Sequence, residues 1–177
     1  MYVLSLPNPN FQVEGEVTAS QENLFRPGAQ EFISSLAKSW EIIFFSSRKQ
    51  DQLDRLVNVL DPLKVLVRFV LDRRHCSITS QRKCVKDLSY IMNFNRQNSI
   101  IIDYKPQNVA FSLEAALIVE HWDGSAEDGE LVGLQKHLEF LASQPDAVQV
   151  NSNRNSYSQL LSQIYKQPTT LEDRRPK

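Results

Sequence analysis

A chain of 177 residues with 41% hydrophobic and 23% charged residues has the size and balance of one globular domain with an ordinary core. Twenty Lys and Arg against 21 Asp and Glu leave a formal net charge of -1, so bulk charge offers no argument for nucleic acid or for an anionic membrane. Apolar runs such as Val65 to Val70, interrupted by Arg68, fall far short of the ~20 residues that span a bilayer.

The chain starts on a strand-like run, Tyr2 to Leu6, without the charged flank and apolar stretch of a signal peptide or the Arg-rich pattern of a transit peptide. Targeting information is therefore expected to be absent, internal or on an extension. Pro27 opens a helix-period segment carrying Phe32, Ile33 and Leu36, and a second strand-like run follows at Glu41 to Phe45. Leu53, Leu56, Val57 and Leu60 mark the next helix, and Val65 to Val70 the next strand. Further apolar runs stand at Ser99 to Ile102 and Ala116 to Val119. Being continuous rather than alternating, these runs predict strands buried on both faces, and the alternation with helices is that of βαβ units.

Between Arg73 and Lys86 the polar stretch around Ser80 and Gln81 predicts a projecting hairpin, with Ile78 and Val85 as its main apolar side chains. A turn symmetric about Ser80 would set Cys76 opposite Cys84, either bridged or as two independent thiols. Neither cysteine has His or Cys at zinc-ligand spacing, so no metal is expected. Leu131, Leu134, Leu138 and Leu141 predict a late helix covering the sheet, after the acidic stretch Asp123 to Gly129. From Gln149 the composition turns polar, with Tyr157, Leu160, Leu161 and Ile164 as one short amphipathic face. The organisation expected is a domain over residues 1–148 and a polar tail over 149–177.

Several motifs in order carry a resemblance: FRPGAQEF from Phe25, WEIIFFSS from Trp40, LDP from Leu60, RHC from Arg74, VKDLS from Val85 and IIIDYKPQN from Ile100. Together they resemble the haloacid-dehalogenase-like phosphatases that act on the RNA polymerase C-terminal domain. The run HWDGSAEDGELV from His121, followed by a helix ending HLEFLASQ, is similar to the presequence-receptor subgroup of the mitochondrial inner-membrane translocase. The resemblance implies an α/β fold: a doubly wound, Rossmann-like parallel sheet with helices on both faces and an inserted β-hairpin.

Active members of that family carry DxDxT on the first strand, whose first Asp attacks phosphorus and whose second is acid and base. Here the stretch reads VLSLPNPN, with Ser5 at the nucleophile position, Pro7 at the acid–base position and Pro9 in place of the Thr. A serine hydroxyl does not attack phosphorus without a base, and proline has no titrating group. Tyr104 follows Asp103 where the family places a metal-binding Asp or Asn, so the magnesium site is stripped too. The expectation is a phosphatase-fold pseudoenzyme without cofactor. Ser46 or Ser47, at the phosphate-binding hydroxyl position, Lys86 and Asp103 survive, either to hold an anion or as hydrogen bonds and an ion pair that hold the strand ends.

Two charged sets are candidate protein-binding surfaces. Arg73, Arg74, Arg82 and Lys83 lie along the hairpin, which serves partner contacts in the resembled family; Arg48 and Lys49 belong to the same basic set, and all could equally be an ordinary solvated edge. Glu120, Asp123, Glu127, Asp128 and Glu130 surround Trp122. They suit a basic amphipathic helix, and equally suit the N-terminus of the following helix. Without interleaved aromatics on the basic set, nucleic acid is not an expected partner. The His75–Cys76 pair should point to opposite faces of a strand, which opposes catalysis by it. The resemblance implies a non-catalytic module of mitochondrial protein import, facing the intermembrane space at the inner membrane, binding translocase subunits and basic presequences. A pseudo-phosphatase recruited as a structural subunit of a larger mitochondrial assembly is the alternative.

Overall fold

The computed structural model describes residues 25–91 and 95–154. The expected strand Tyr2 to Leu6, with Ser5, Pro7 and Pro9, and the expected amphipathic segment Tyr157 to Ile164 lie outside these residues.

Gly28, in the left-handed region at φ 76, starts α1 (Ala29–Leu36), which buries Phe32, Ile33 and Leu36. β1 (Ile42–Phe45) is buried throughout, and α2 (Gln50–Leu60) buries Leu53, Val57 and Leu60. β2 (Val67–Leu71) pairs parallel to β1. β3 (Ser77–Ile78) and β4 (Cys84–Val85) form an antiparallel ribbon. β5 (Ile101–Asp103) and β6 (Ala116–Ile118) form a second parallel pair. α3 (Glu130–Ala142) buries Leu131, Leu134, Leu138 and Leu141, the stripe its spacing predicts, and α4 (Ala147–Arg154) buries Ala147, Val148 and Asn151. The chain is α/β, with parallel strands and helices on both sides of them.

One core joins these parts. Phe32, Ile33 and Leu36 of α1, β1, the β5 run Ile100 to Ile102, and the α3 leucines belong to one buried cluster. Polar groups fasten it: Trp40 Nε1 donates to Leu138 O at 3.1 Å, and Asn151 Nδ2 to Ala116 O at 2.9 Å. Asp61, 1% exposed, takes the N–H groups of Val65, Leu66 and Val67 at 3.0, 2.9 and 2.8 Å and so fixes the turn that leads into β2.

Two expectations need correction. β2 is not buried on both faces: Arg68 and Phe69 are exposed, and among the described residues β2 is paired only with β1. In the hairpin, Ile78 rather than Cys76 lies opposite Cys84. Lys83 O accepts from Thr79 N and Thr79 O from Arg82 N, with Arg82 at φ 59, so the turn centres one residue beyond Ser80. That shift takes Cys76 out of register with Cys84, and both are free thiols.

Candidate functional site

The carboxyl ends of parallel strands are where α/β folds gather their chemistry, and several of the expected site residues meet there. Asp103 ends β5. Its Oδ2 lies 2.6 Å from Lys86 Nζ, with side chains 1% and 5% exposed. Its Oδ1 accepts from Lys105 N at 2.9 Å and from Asn108 Nδ2 at 3.0 Å. Lys86 N in turn donates to Asn108 O at 2.7 Å. The carboxylate is thus engaged at both oxygens by this chain's own donors, a closed arrangement that stitches β5 to the segment after β4. Asn108, the last residue of the IIIDYKPQN motif and one to which the sequence assigns no task, completes it.

Ser46, at the end of β1 and 8% exposed, accepts from Arg48 N at its Oγ (3.2 Å), while its own N donates to Leu71 O at 2.8 Å. Ser47 follows, half-buried. The Tyr104 ring meets His121 edge-on at 4.9 Å, and the Lys105 ammonium lies 5.0 Å from the Tyr104 ring centre. Burial pushes Arg48 below the usual guanidinium range, opposed by the charge of a nearby Tyr104. Of the two readings open for Arg48, the solvated edge does not hold, since it sits half-buried after β1. Among the described residues no cluster of three or more His, Cys, Asp or Glu is placed to hold a metal ion.

Cys76 is close by, its Sγ 3.8 Å from Ser46 O. Burial, reinforced by the neighbouring Cys84 thiol, pushes Cys76 up to about 12. At pH 8 the thiolate is then roughly one part in ten thousand. Iodoacetamide should modify Cys76 at least a hundredfold more slowly in the native chain than in urea, read by mass spectrometry of the peptide. His75 is not in a strand as expected but in a single 3₁₀ turn, Arg73–His75, where its Nδ1 lies 2.9 Å from Asp72 Oδ1.

The basic hairpin set divides. All four are exposed, but Arg74 is also held by Asp72, Nε to Oδ2 at 2.8 Å, and Arg82 and Lys83 stand at the tip. The acidic set divides as well. Arg26, 7% exposed, places Nε 2.9 Å from Asp128 Oδ1 and donates from Nη2 to Glu120 O at 3.0 Å. It thereby ties the acidic loop to the segment ahead of α1. Asp128 also accepts from Glu130 N at 3.0 Å, so it and Glu130 attend the start of α3 as helix chemistry predicts. Asp123 accepts from Ser125 N, and half-buried Trp122 donates from Nε1 to Ser125 O at 2.9 Å. Glu120, Asp123 and Glu127, on either side of that tryptophan in the chain, are exposed. Arg26 was missed as a site residue because nothing local to FRPG signals an ion pair a hundred residues away.

The chain belongs to the NLI interacting factor-like phosphatase family, whose model matches residues 5–149. It is 34% identical over 144 residues to the mitochondrial import inner membrane translocase subunit TIM50 of Eremothecium gossypii, a match covering 80% of this chain and 30% of that protein. It is also 34% identical over 116 residues to CTD small phosphatase-like protein 3 of Caenorhabditis elegans, covering 66% of this chain and 40% of that protein. A solved structure of Fcp1, an essential RNA polymerase II CTD phosphatase, aligns with a TM-score of 0.50 at 15% identity, over 86% of this chain and 42% of that one; it shares the haloacid-dehalogenase-type fold. The chain spans less than a third of the length of the TIM50 relative.

Proposed function

We propose that this chain is a non-catalytic protein-binding module of mitochondrial protein import, acting at the inner membrane on its intermembrane-space side. The carrying observation is the acidic loop, which Arg26 holds to the fold while Glu120, Asp123 and Glu127, neighbours of Trp122 in the chain, are exposed. An aromatic flanked by carboxylates on an anchored loop complements a helix with one apolar and one basic face, the chemistry of a presequence. The similarity to TIM50 supports the same reading. The exposed hairpin cations Arg73, Arg82 and Lys83, with Arg74, form a second contact surface, for translocase subunits.

The pseudoenzyme reading rests on Ser5 and Pro7 at the family's two catalytic Asp positions and on Tyr104 after Asp103. The hydrogen bonds of Asp103 to Lys86, Lys105 and Asn108 support it, since they account for this retained residue as a group that holds the fold together. Hydrolysis of an aryl phosphate with magnesium should stay at the buffer rate, and should be no different in Asp103→Asn. A magnesium-dependent rate abolished by that substitution would overturn the reading.

Binding is tested with a fluorescent Lys- and Arg-rich amphipathic peptide. The triple variant E120K/D123K/E127K should weaken it at least tenfold, and raising salt from 50 to 200 mM should weaken the parent complex several-fold. Affinity unmoved by both would refute the proposed surface. Purification from gently solubilised mitochondria should recover translocase channel and motor subunits; recovery of a stoichiometric respiratory or ribosomal complex would instead identify a structural subunit.

A further inference from the structure

The turn between α2 and β2, and β2 itself, present a surface of a different kind. Leu63 is 79% exposed, Val65 73% and Phe69 50%, three large apolar side chains within seven residues. Scattered singly, such residues are ordinary; three within one turn and the strand it feeds lie close enough in the chain for one partner to cover them together. The patch is rigidly displayed, because buried Asp61 holds the N–H groups of Val65, Leu66 and Val67. Its charge is positive. Lys64 and Arg68 are exposed between the apolar side chains, residues 62–69 contain no acid, and among the described residues the carboxylate paired with this stretch is Glu41, 3.4 Å from Arg68 Nε.

Strand addition is an unsuitable way to cover this surface. Ile42 pairs with Val67 and Ile43 with Phe69, so Arg68 is an extra, bulged residue on β2, and its guanidinium lies 5.6 Å from the Phe69 ring centre. A bulge and a charged side chain are devices that block edge-to-edge pairing. Side-chain contact by a helix is not blocked. We propose that Leu63, Val65 and Phe69, flanked by Lys64 and Arg68, dock an amphipathic helix of a partner protein whose apolar stripe is bordered by carboxylates. Charge complementarity selects that occupant: with Glu41 against Arg68 the stretch keeps a net positive charge through Lys64, which an acidic helix complements and a basic one meets as like charge. The surface thus takes the opposite charge class from the Trp122 loop, and it stands independently of the import reading.

Two labelled 18-residue helical peptides with the same leucine stripe, one bordered by glutamates and one by lysines, test this on the full chain. The glutamate peptide should bind at least tenfold more tightly than the lysine peptide. L63S/V65S should weaken it at least tenfold at unchanged thermal unfolding, and K64E/R68E should invert the preference. E120K/D123K/E127K should leave this binding unaltered, which separates it from the presequence surface. Hydrogen exchange should slow over residues 63–71 on binding. No saturable binding, an affinity indifferent to L63S/V65S, equal binding to phosphatidylserine vesicles through the same residues, or occupation of the patch by a second copy of the chain would each overturn the proposal.

Discussion

Lys86→Met should destabilise the fold by about 3–5 kcal/mol, because it leaves the Asp103 carboxylate buried without its counter-charge. For a domain of this size that lowers the thermal midpoint by roughly 10 °C. The loss measures the cost of a stranded charge, not the net worth of the pair. Lys86→Met/Asp103→Asn should therefore recover a good part of it: the asparagine carbonyl still accepts from Lys105 N and Asn108 Nδ2, and no charge remains buried. Urea unfolding of the two singles and the double closes the cycle. A double variant no more stable than Lys86→Met would mean that the pair does not act as a unit. A pair merely inherited as an anion site would show a different pattern, with Lys86→Met close to neutral.

Asp61→Asn should cost about 2–3 kcal/mol at pH 7 and remove part of the acid sensitivity of the fold. Burial alone would raise the Asp61 carboxyl, but the N–H groups of Val67, Leu66, Val65 and Lys64 together outweigh it and hold the group below the usual carboxylate range. Asp72 is lowered in the same way: burial opposes, while the Arg74 N–H and side chain and the His75 ring prevail. A carboxyl lowered on folding contributes stability above its unfolded value near ~4, and that contribution disappears as pH falls from about 5 through the folded value. Stability measured between pH 7 and pH 2 should hence fall less steeply in Asp61→Asn than in the parent, the curves converging at the acid end. Parallel curves would show that Asp61 does not titrate with folding.

Sequence pattern anticipated the helices well where a stripe faced one core: Leu131, Leu134, Leu138 and Leu141 could be read from spacing alone because each is buried on the same side. It misjudged β2, since a run of Val, Leu and Phe looks alike whether one face or both are covered, and only what packs on those faces decides. The hairpin failed for a related reason. Its register turns on one left-handed residue, Arg82, which no local preference announces. Motif order was enough to bring Lys86 and Asp103 to one place, because a family's strand ends converge by topology. Arg26 with Asp128 and Glu120, and the closing bond from Asn108, were illegible, being set by which loops happen to meet.

The contact between α1 and α3 also orders events during synthesis. Ser35 meets Glu139 and Trp40 meets the Leu138 carbonyl, partners about a hundred residues apart in the chain. At the usual pace of translation, α1 leaves the ribosome roughly 5–20 s before the helix that covers Phe32, Ile33 and Leu36 emerges in turn. During that interval its greasy side is open to whatever lies near the tunnel exit. A nascent chain stalled ahead of Glu130 should therefore be a better chaperone client than the released full-length chain.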